Sequence, residues 1–210
     1  MNVWTTLVSQ GRHRFADTVA ALTPEQVGQP TLCAGWDAHL LTAHLLLPFE
    51  VSFPRFVVAA LRHRGDTDAA VDDVTRRIAR RPLADLVRLL HEHADDVVSP
   101  RRASPRAQLV ETAVHLRDLA RPLGLAADVP LNHWRLVLDH LVDPGVEAAL
   151  VPPGRLDGLR LVATDQDWSH GSGHLVSGPS EALAMALTGR RVAVGDLTGD
   201  GVATLTGRMP

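Results

Sequence analysis

Lysine and tyrosine are absent from the chain, cysteine occurs once, and aromatic residues fill only 4% of the 210 positions. Without lysine there is no amine for a Schiff base, and without tyrosine no phenolic general acid. Chemistry therefore falls to histidine, aspartate, glutamate, arginine, the lone Cys33 or a metal ion. The missing lysine, with all 21 basic residues being arginine, reads as the bias of a GC-rich coding sequence. One cysteine excludes an intramolecular disulfide framework and fits a reducing compartment. No apolar run approaches the roughly 18 residues of a membrane span, and Met1 to Thr6 lacks the basic and apolar regions of a secretion signal. A cytoplasmic protein with no membrane partner is expected.

What is present describes a soluble globular chain. Hydrophobic residues make up 45% of it and the mean hydropathy is +0.02, enough to bury one large core or two modest ones. The net charge of −3 arises from 24 acidic and 21 basic residues without a strongly basic stretch, so nucleic acid is not expected as a partner.

The first 145 or so residues carry helical periodicity. A helix is expected over Asn2 to Leu22, with Trp4, Leu7, Phe15, Val19 and Leu22 as its apolar stripe. Thr23-Pro24-Glu25-Gln26 then supplies a cap and a proline at the first helical position. After a loop from Gln29 to Trp36, Asp37 caps a helix through Leu40, Leu41, His44 and Leu47, which Pro48 and Pro54 should kink or interrupt. Asp66 to Arg80 reads as a charged surface helix, and Arg81-Pro82 opens another reaching Val98. His91 and His93 lie about 200° apart on it and read as surface residues. A loop from Ser99 leads to Ser104, which caps a long helix from Pro105 to about Leu123; Leu131 to Leu141 forms the next. After Pro144 the texture changes. Pro152-Pro153-Gly154 reads as a linker, Leu159 to Ala163 and Val202 to Leu205 as strands, and Glu181 to Leu187 as a short helix. The expected fold is α+β: a four-helix bundle over residues 1–149 and a small α+β domain over 150–210.

In the long helix, Glu111 and His115 stand four residues apart and project from consecutive turns. Together they can hold one divalent metal, and a third ligand could come from His44 in the earlier apolar helix. Three protein ligands with a fourth position open is the pattern of catalytic zinc. The spacing alone leaves two other readings. Gln108, Glu111, His115 and Asp118 also make the polar line of an ordinary solvated helix face, and His44 also suits a hydrogen-bonded core residue. Cys33, in the loop feeding the His44 helix, could be a second nucleophile near the metal but reads rather as a small buried residue beside Trp36, and the glycines within His170 to His174 argue against a helical metal pair there.

The stretch Pro30-Thr31-Leu32-Cys33-Ala34-Gly35-Trp36-Asp37-Ala38-His39-Leu40-Leu41-Thr42-Ala43-His44-Leu45 resembles the T-x-C-x-G-W … a-H-l signature of mycothiol-dependent maleylpyruvate isomerase-like proteins, within the DinB/YfiT-like metalloenzyme superfamily. Glu111-x-x-x-His115 with Leu116, Asp118 and Gly124 is similar to their second signature. Ala163-Thr164-Asp165-Gln166-Asp167-Trp168, Gly178-Pro179-Ser180-Glu181-Ala182-Leu183 and Gly199-Asp200-Gly201 resemble their C-terminal domain. The resemblance implies a DinB-like four-helix bundle that binds a divalent metal, typically zinc, through His44, Glu111 and His115. Asp118 then either orients His115 or pairs with Arg117 or Arg121. The resemblance further implies mycothiol as cofactor, its metal-bound thiolate acting on a small electrophilic substrate in an isomerisation or a thiol transfer. Low-molecular-weight thiol and small substrate are the implied partners, with the protein a monomer or homodimer. Arg190, Arg191 and Arg208 are candidate contacts for a charged substrate. A metal-dependent hydrolase using a zinc-bound water and a non-catalytic metal-binding protein are the alternatives.

Overall fold

The structure, a computed structural model, describes residues 3–98 and 103–210. The expected start at Asn2 and most of the loop from Ser99 lie outside the described residues. Two compact units divide at Ala127 and Asp128.

The first unit is a four-helix bundle of α1 (Val3–Ala20), α3 (Ala38–Glu50), α6 (Leu83–Glu92) and α7 (Pro105–Ala120). Helix α1 packs on α6 and α7, and α3 packs on the same two from the other side. Phe15, Leu41, Leu46, Leu86, Leu90, Leu109 and Leu116 are buried between them, each contributing about 1.5–3 kcal/mol. The short α2 (Pro24–Val27) starts with a capping box, Thr23 and Gln26 satisfying each other's backbone N–H groups. The Asp37 carboxylate caps α3 by accepting from Leu40 N, and Ser104 caps α7 by accepting from Ala107 N, as their side chains predict.

Pro48 does not interrupt α3, which runs on to Glu50. The break falls at Val51 and Ser52, after which Pro54 sits in the first turn of α4 (Phe53–Arg62), where a missing N–H costs nothing. Helix α5 (Thr67–Ile78) packs against α3 and α4. It is not a wholly exposed helix: Ala70, Val74, Thr75 and Ile78 are buried. Helix α6 stops at Glu92 rather than Val98, and the carbonyls that follow are claimed by Arg12. Its guanidinium, 5% exposed, donates to the carbonyls of His93, Ala94 and Asp96 and to Gln108 Oε1. It also lies over the Phe49 ring at 4.8 Å. Burial draws it down to about 10, opposed by Asp96 and then Asp95, so it stays charged at neutral pH. His93 stacks on Phe49, and His91 meets His13 at 3.0 Å between Nδ1 atoms; both are partly buried.

The second unit begins with α8 (Leu131–Leu141), which packs on α9 (Ser180–Leu187). This places α8 outside the bundle and sets the division ahead of the expected boundary at 149 and 150. A three-stranded sheet has the order β2 (Ser169–Gly171), β1 (Leu159–Ala163), β3 (His174–Gly178). Strand β2 is antiparallel to β1 with Leu161 opposite His170, and β3 is parallel to β1 with Leu161 opposite Val176. The chain crosses from one edge of β1 to the other in two residues. Gly171 and Gly173 both have positive φ, and a Cβ on either would collide with the carbonyl oxygens of Leu159 and Gly158. The His170 to His174 stretch is accordingly strand and turn. Val202 to Leu205 is not a strand but the start of α10 (Val202–Gly207). A short V-A-T-L run has no period of its own that would mark it as strand. Among the described residues no helix is long and apolar enough to cross a membrane.

Candidate metal centre

Helices α3 and α7 deliver three donors to one point in the bundle. His44 Nε2 lies 3.4 Å from Glu111 Oε2, and His115 Nε2 lies 3.1 Å from the same oxygen. One ligand atom from each residue falls within 4.8 Å of the others. The two imidazoles meet edge to face, their centroids 5.0 Å apart. Glu111 and His115 share a face because they are one turn apart. His44 joins them because α3 crosses α7 with its apolar side inward.

Behind His115, the Asp118 carboxylate lies 2.9 Å from Nδ1 and is completely buried. Asp118 is therefore buried against His115 rather than on the surface, and the Arg117 guanidinium reaches the Ala127 carbonyl. With Nδ1 bonded to a carboxylate, the ring is held so that Nε2 faces Glu111 and His44, the tautomer-fixing arrangement common behind ligating histidines.

The loop before α3 builds the remaining wall. The Thr31 N–H and hydroxyl both donate to the Trp36 carbonyl at 2.9 Å, and Trp36 N donates to the Cys33 carbonyl. Leu32 N donates to the Asp118 carbonyl at 3.0 Å, fastening the loop to the end of α7. This brings Cys33 Sγ to 3.3 Å from Asp118 Oδ2 and 3.7 Å from His115 Nδ1. Cys33 is thus half-buried against the centre, not packed away beside Trp36. The Trp36 ring covers His44 at 5.0 Å, and its indole N–H donates to Asp72 on α5 at 2.8 Å.

Charge in the centre favours a cation. Burial works against a charged His115, but hydrogen bonds with Asp118, Cys33 and Glu111 overcome it and hold the ring well above the ordinary imidazole range. Burial likewise raises the Glu111 carboxyl, yet His115 and then His44 outweigh it and hold it well below the ordinary carboxylate range. The arrangement that retains a proton on His115 suits a divalent ion equally. Two imidazole nitrogens and a carboxylate oxygen, one imidazole backed by a second carboxylate, form a donor set that zinc accepts with a coordination position left over.

Cys33, Trp36 and Asp72 were not foreseen at the centre. Cys33 and Trp36 stand in the loop ahead of the His44 helix, whereas Asp72 has no local signal, being 36 residues from its indole partner. The arginines proposed for substrate contact in the second unit bind backbone carbonyls. Arg190 donates to Thr188, Arg191 to Pro210, and Arg208 to Arg155 and Asp157. The Asp165 carboxylate accepts from both the N–H and hydroxyl of Ser180 at the start of α9, and Trp168 Nε1 donates to Asp139. These signature residues hold the second unit together.

A helical bundle with a His-Glu-His donor cluster between two of its helices is the class of protein that fold and site define. Residues 8–120 match the family described as mycothiol maleylpyruvate isomerase N-terminal domain. The chain belongs to this family, and on that membership it is an enzyme. Its fold is also that of two crystal structures of the mycothiol-dependent maleylpyruvate isomerase. One, a histidine-to-alanine mutant, has a TM-score of 0.56 at 18% identity; the other has 0.52 at 17%. Each comparison covers 99% of this chain and 93% of that one. No curated protein matches the chain.

Proposed function

We propose that His44, Glu111 and His115 hold a divalent ion, zinc by their chemistry, and that the enzyme uses mycothiol on a small electrophilic substrate in an isomerisation or thiol transfer. The observation that carries the metal is the convergence of His44 Nε2, His115 Nε2 and Glu111 Oε2 within 4.8 Å, with Asp118 behind His115. Family membership carries the thiol. When bound, the ion supplies a Lewis acid that lowers the pKa of a thiol reaching its open position.

The chain's own residues prepare that position. Asp118 fixes the His115 ring, and Glu111 balances the added charge while remaining 38% exposed along its side chain, which leaves an approach from solvent. Trp36, anchored by Asp72, closes the His44 side. Cys33 and the Leu32 N–H tie the loop to Asp118, so loop and ligands are joined by hydrogen bonds.

The test is metal content and turnover measured together. Purified protein should carry about one divalent ion per chain, and His44→Ala and His115→Ala should remove it. Zinc-loaded protein should convert maleylpyruvate, or transfer the thiol to an electrophile, only when mycothiol is added. Wild-type metal content in both variants would remove the ligand assignment. Ester or amide hydrolysis without thiol would replace the thiol reading with the hydrolase one.

A further inference from the structure

A groove of about 560 Å³ lies in the first unit between the end of α3, α4 and α5, and none of the metal-centre residues lines it. Its floor is apolar, made by Val51, Pro54, Val58, Val74 and Ile78. Around this floor stand Arg55, Arg62, Arg77 and Arg81 against a single carboxylate, Glu50. Helical spacing puts them there. Arg55, Val58, Ala59 and Arg62 follow the i, i+3, i+4, i+7 rule on α4, and Val74, Arg77, Ile78 and Arg81 repeat it along α5 and just past its end. Each wall therefore presents apolar residues among guanidinium groups.

Two of these four charges are answered internally and two are not. Arg81 pairs with Glu50 at 2.6 Å and Arg77 with Asp73 at 2.6 Å. Arg55 and Arg62 make no hydrogen bond or ion pair with any described residue. A surface arginine commonly lies in solvent, but two unpaired guanidiniums flanking an apolar floor form a recognition pattern. The volume falls within the range of small-molecule sites, which combine an apolar lining with a few placed polar groups. A guanidinium fork matches a carboxylate in geometry as well as charge.

We propose that this groove is a second binding site, separate from the metal centre, for a small amphipathic carboxylate: its apolar body lies over Val58 and Ile78, and its carboxylate is held by Arg55 and Arg62. Arg77 and Arg81, paired with Asp73 and Glu50, line the same groove.

The probe is octanoate, titrated into the full chain by calorimetry, with octanol and acetate as controls. Octanoate should bind saturably at one site per chain, at least tenfold more tightly than either control, and more weakly as salt rises. The double variant Arg55→Gln/Arg62→Gln should lose at least tenfold in affinity while keeping its helical circular dichroism and metal content, since both side chains are exposed. Val58→Asp should weaken octanoate by a similar factor. Protein stripped of metal by chelator, and the His44→Ala variant, should bind octanoate as the wild type does. Loss of binding on metal removal would place the carboxylate on the metal centre and overturn the proposal. So would octanol binding as tightly as octanoate, or unaltered binding by the arginine variant. Absence of saturable octanoate binding would also overturn it, whether or not the same variant abolished self-association or uptake onto anionic vesicles.

Discussion

Replacing Gly11 by alanine should destabilise the helical unit, although glycine in mid-helix is ordinarily the weaker residue. On propensity alone the change would stabilise α1 by about 1 kcal/mol. Here a Cβ would sit 2.6 Å from Thr112 Oγ1 and 2.9 Å from Thr112 Cβ. Those atoms lie close to the α7 backbone, and Thr112 Oγ1 is itself bonded to the Leu109 carbonyl at 3.1 Å, so no flexible side-chain end can swing aside. The helices must separate. Overpacking of this kind costs roughly 1–3 kcal/mol, leaving a net loss of up to about 2 kcal/mol after the propensity gain. Because Thr112 directly follows Glu111, the displaced segment of α7 also carries a metal-centre residue, and zinc affinity should fall with stability. Urea unfolding followed by circular dichroism, with unchanged m-value, measures the first effect; competition with a chromophoric chelator measures the second. Adding Thr112→Ala removes Oγ1 and should recover part of both. A Gly11→Ala protein more stable than the wild type would refute the close crossing of α1 and α7.

Arg12→Met should cost about 1–3 kcal/mol in chemical unfolding, since it strands three carbonyls and Gln108 Oε1 without their buried donor; a loss under about 0.5 kcal/mol would show those groups reaching water instead. Asp118→Asn should leave the fold intact and weaken zinc by about 10–100-fold, read by chelator competition; unchanged affinity would deny Asp118 its orienting role. In metal-free protein, His115 stabilises fully below its ordinary value of 6.5 and loses that contribution as pH rises through its higher folded value. Glu111 contributes above its ordinary value of 4.5 and loses it as pH falls through its lower folded value. The metal-free melting temperature should therefore be highest between these pH values and fall on the alkaline side, with a shallower fall in Glu111→Gln. A fragment ending at Ala127 should fold and bind zinc. One ending near Val151 should be more prone to aggregate, because Val137, Leu138 and Leu141 of α8 are buried in the second unit, where α8 packs on α9.

The sequence by itself determined the local features. Apolar residues recurring every three to four positions mark the helices, and Thr23, Asp37 and Ser104 announce three of their starts, because a cap acts within one turn of chain. The Glu111 to His115 spacing is equally local and needs only the helical pitch. What tertiary structure decided is whatever depends on distant partners. Asp118 also meets Cys33 because Leu32 N ties a loop 86 residues away to the end of α7. Arg12 takes the carbonyls that follow the end of α6. Helix α8 has an amphipathic pattern that suits a bundle, yet its apolar face finds α9, and periodicity specifies that a face is buried without specifying against what. Val202 to Leu205, a run too short to show a period, is helical and packs beside the 3-10 helix Arg191–Asp196.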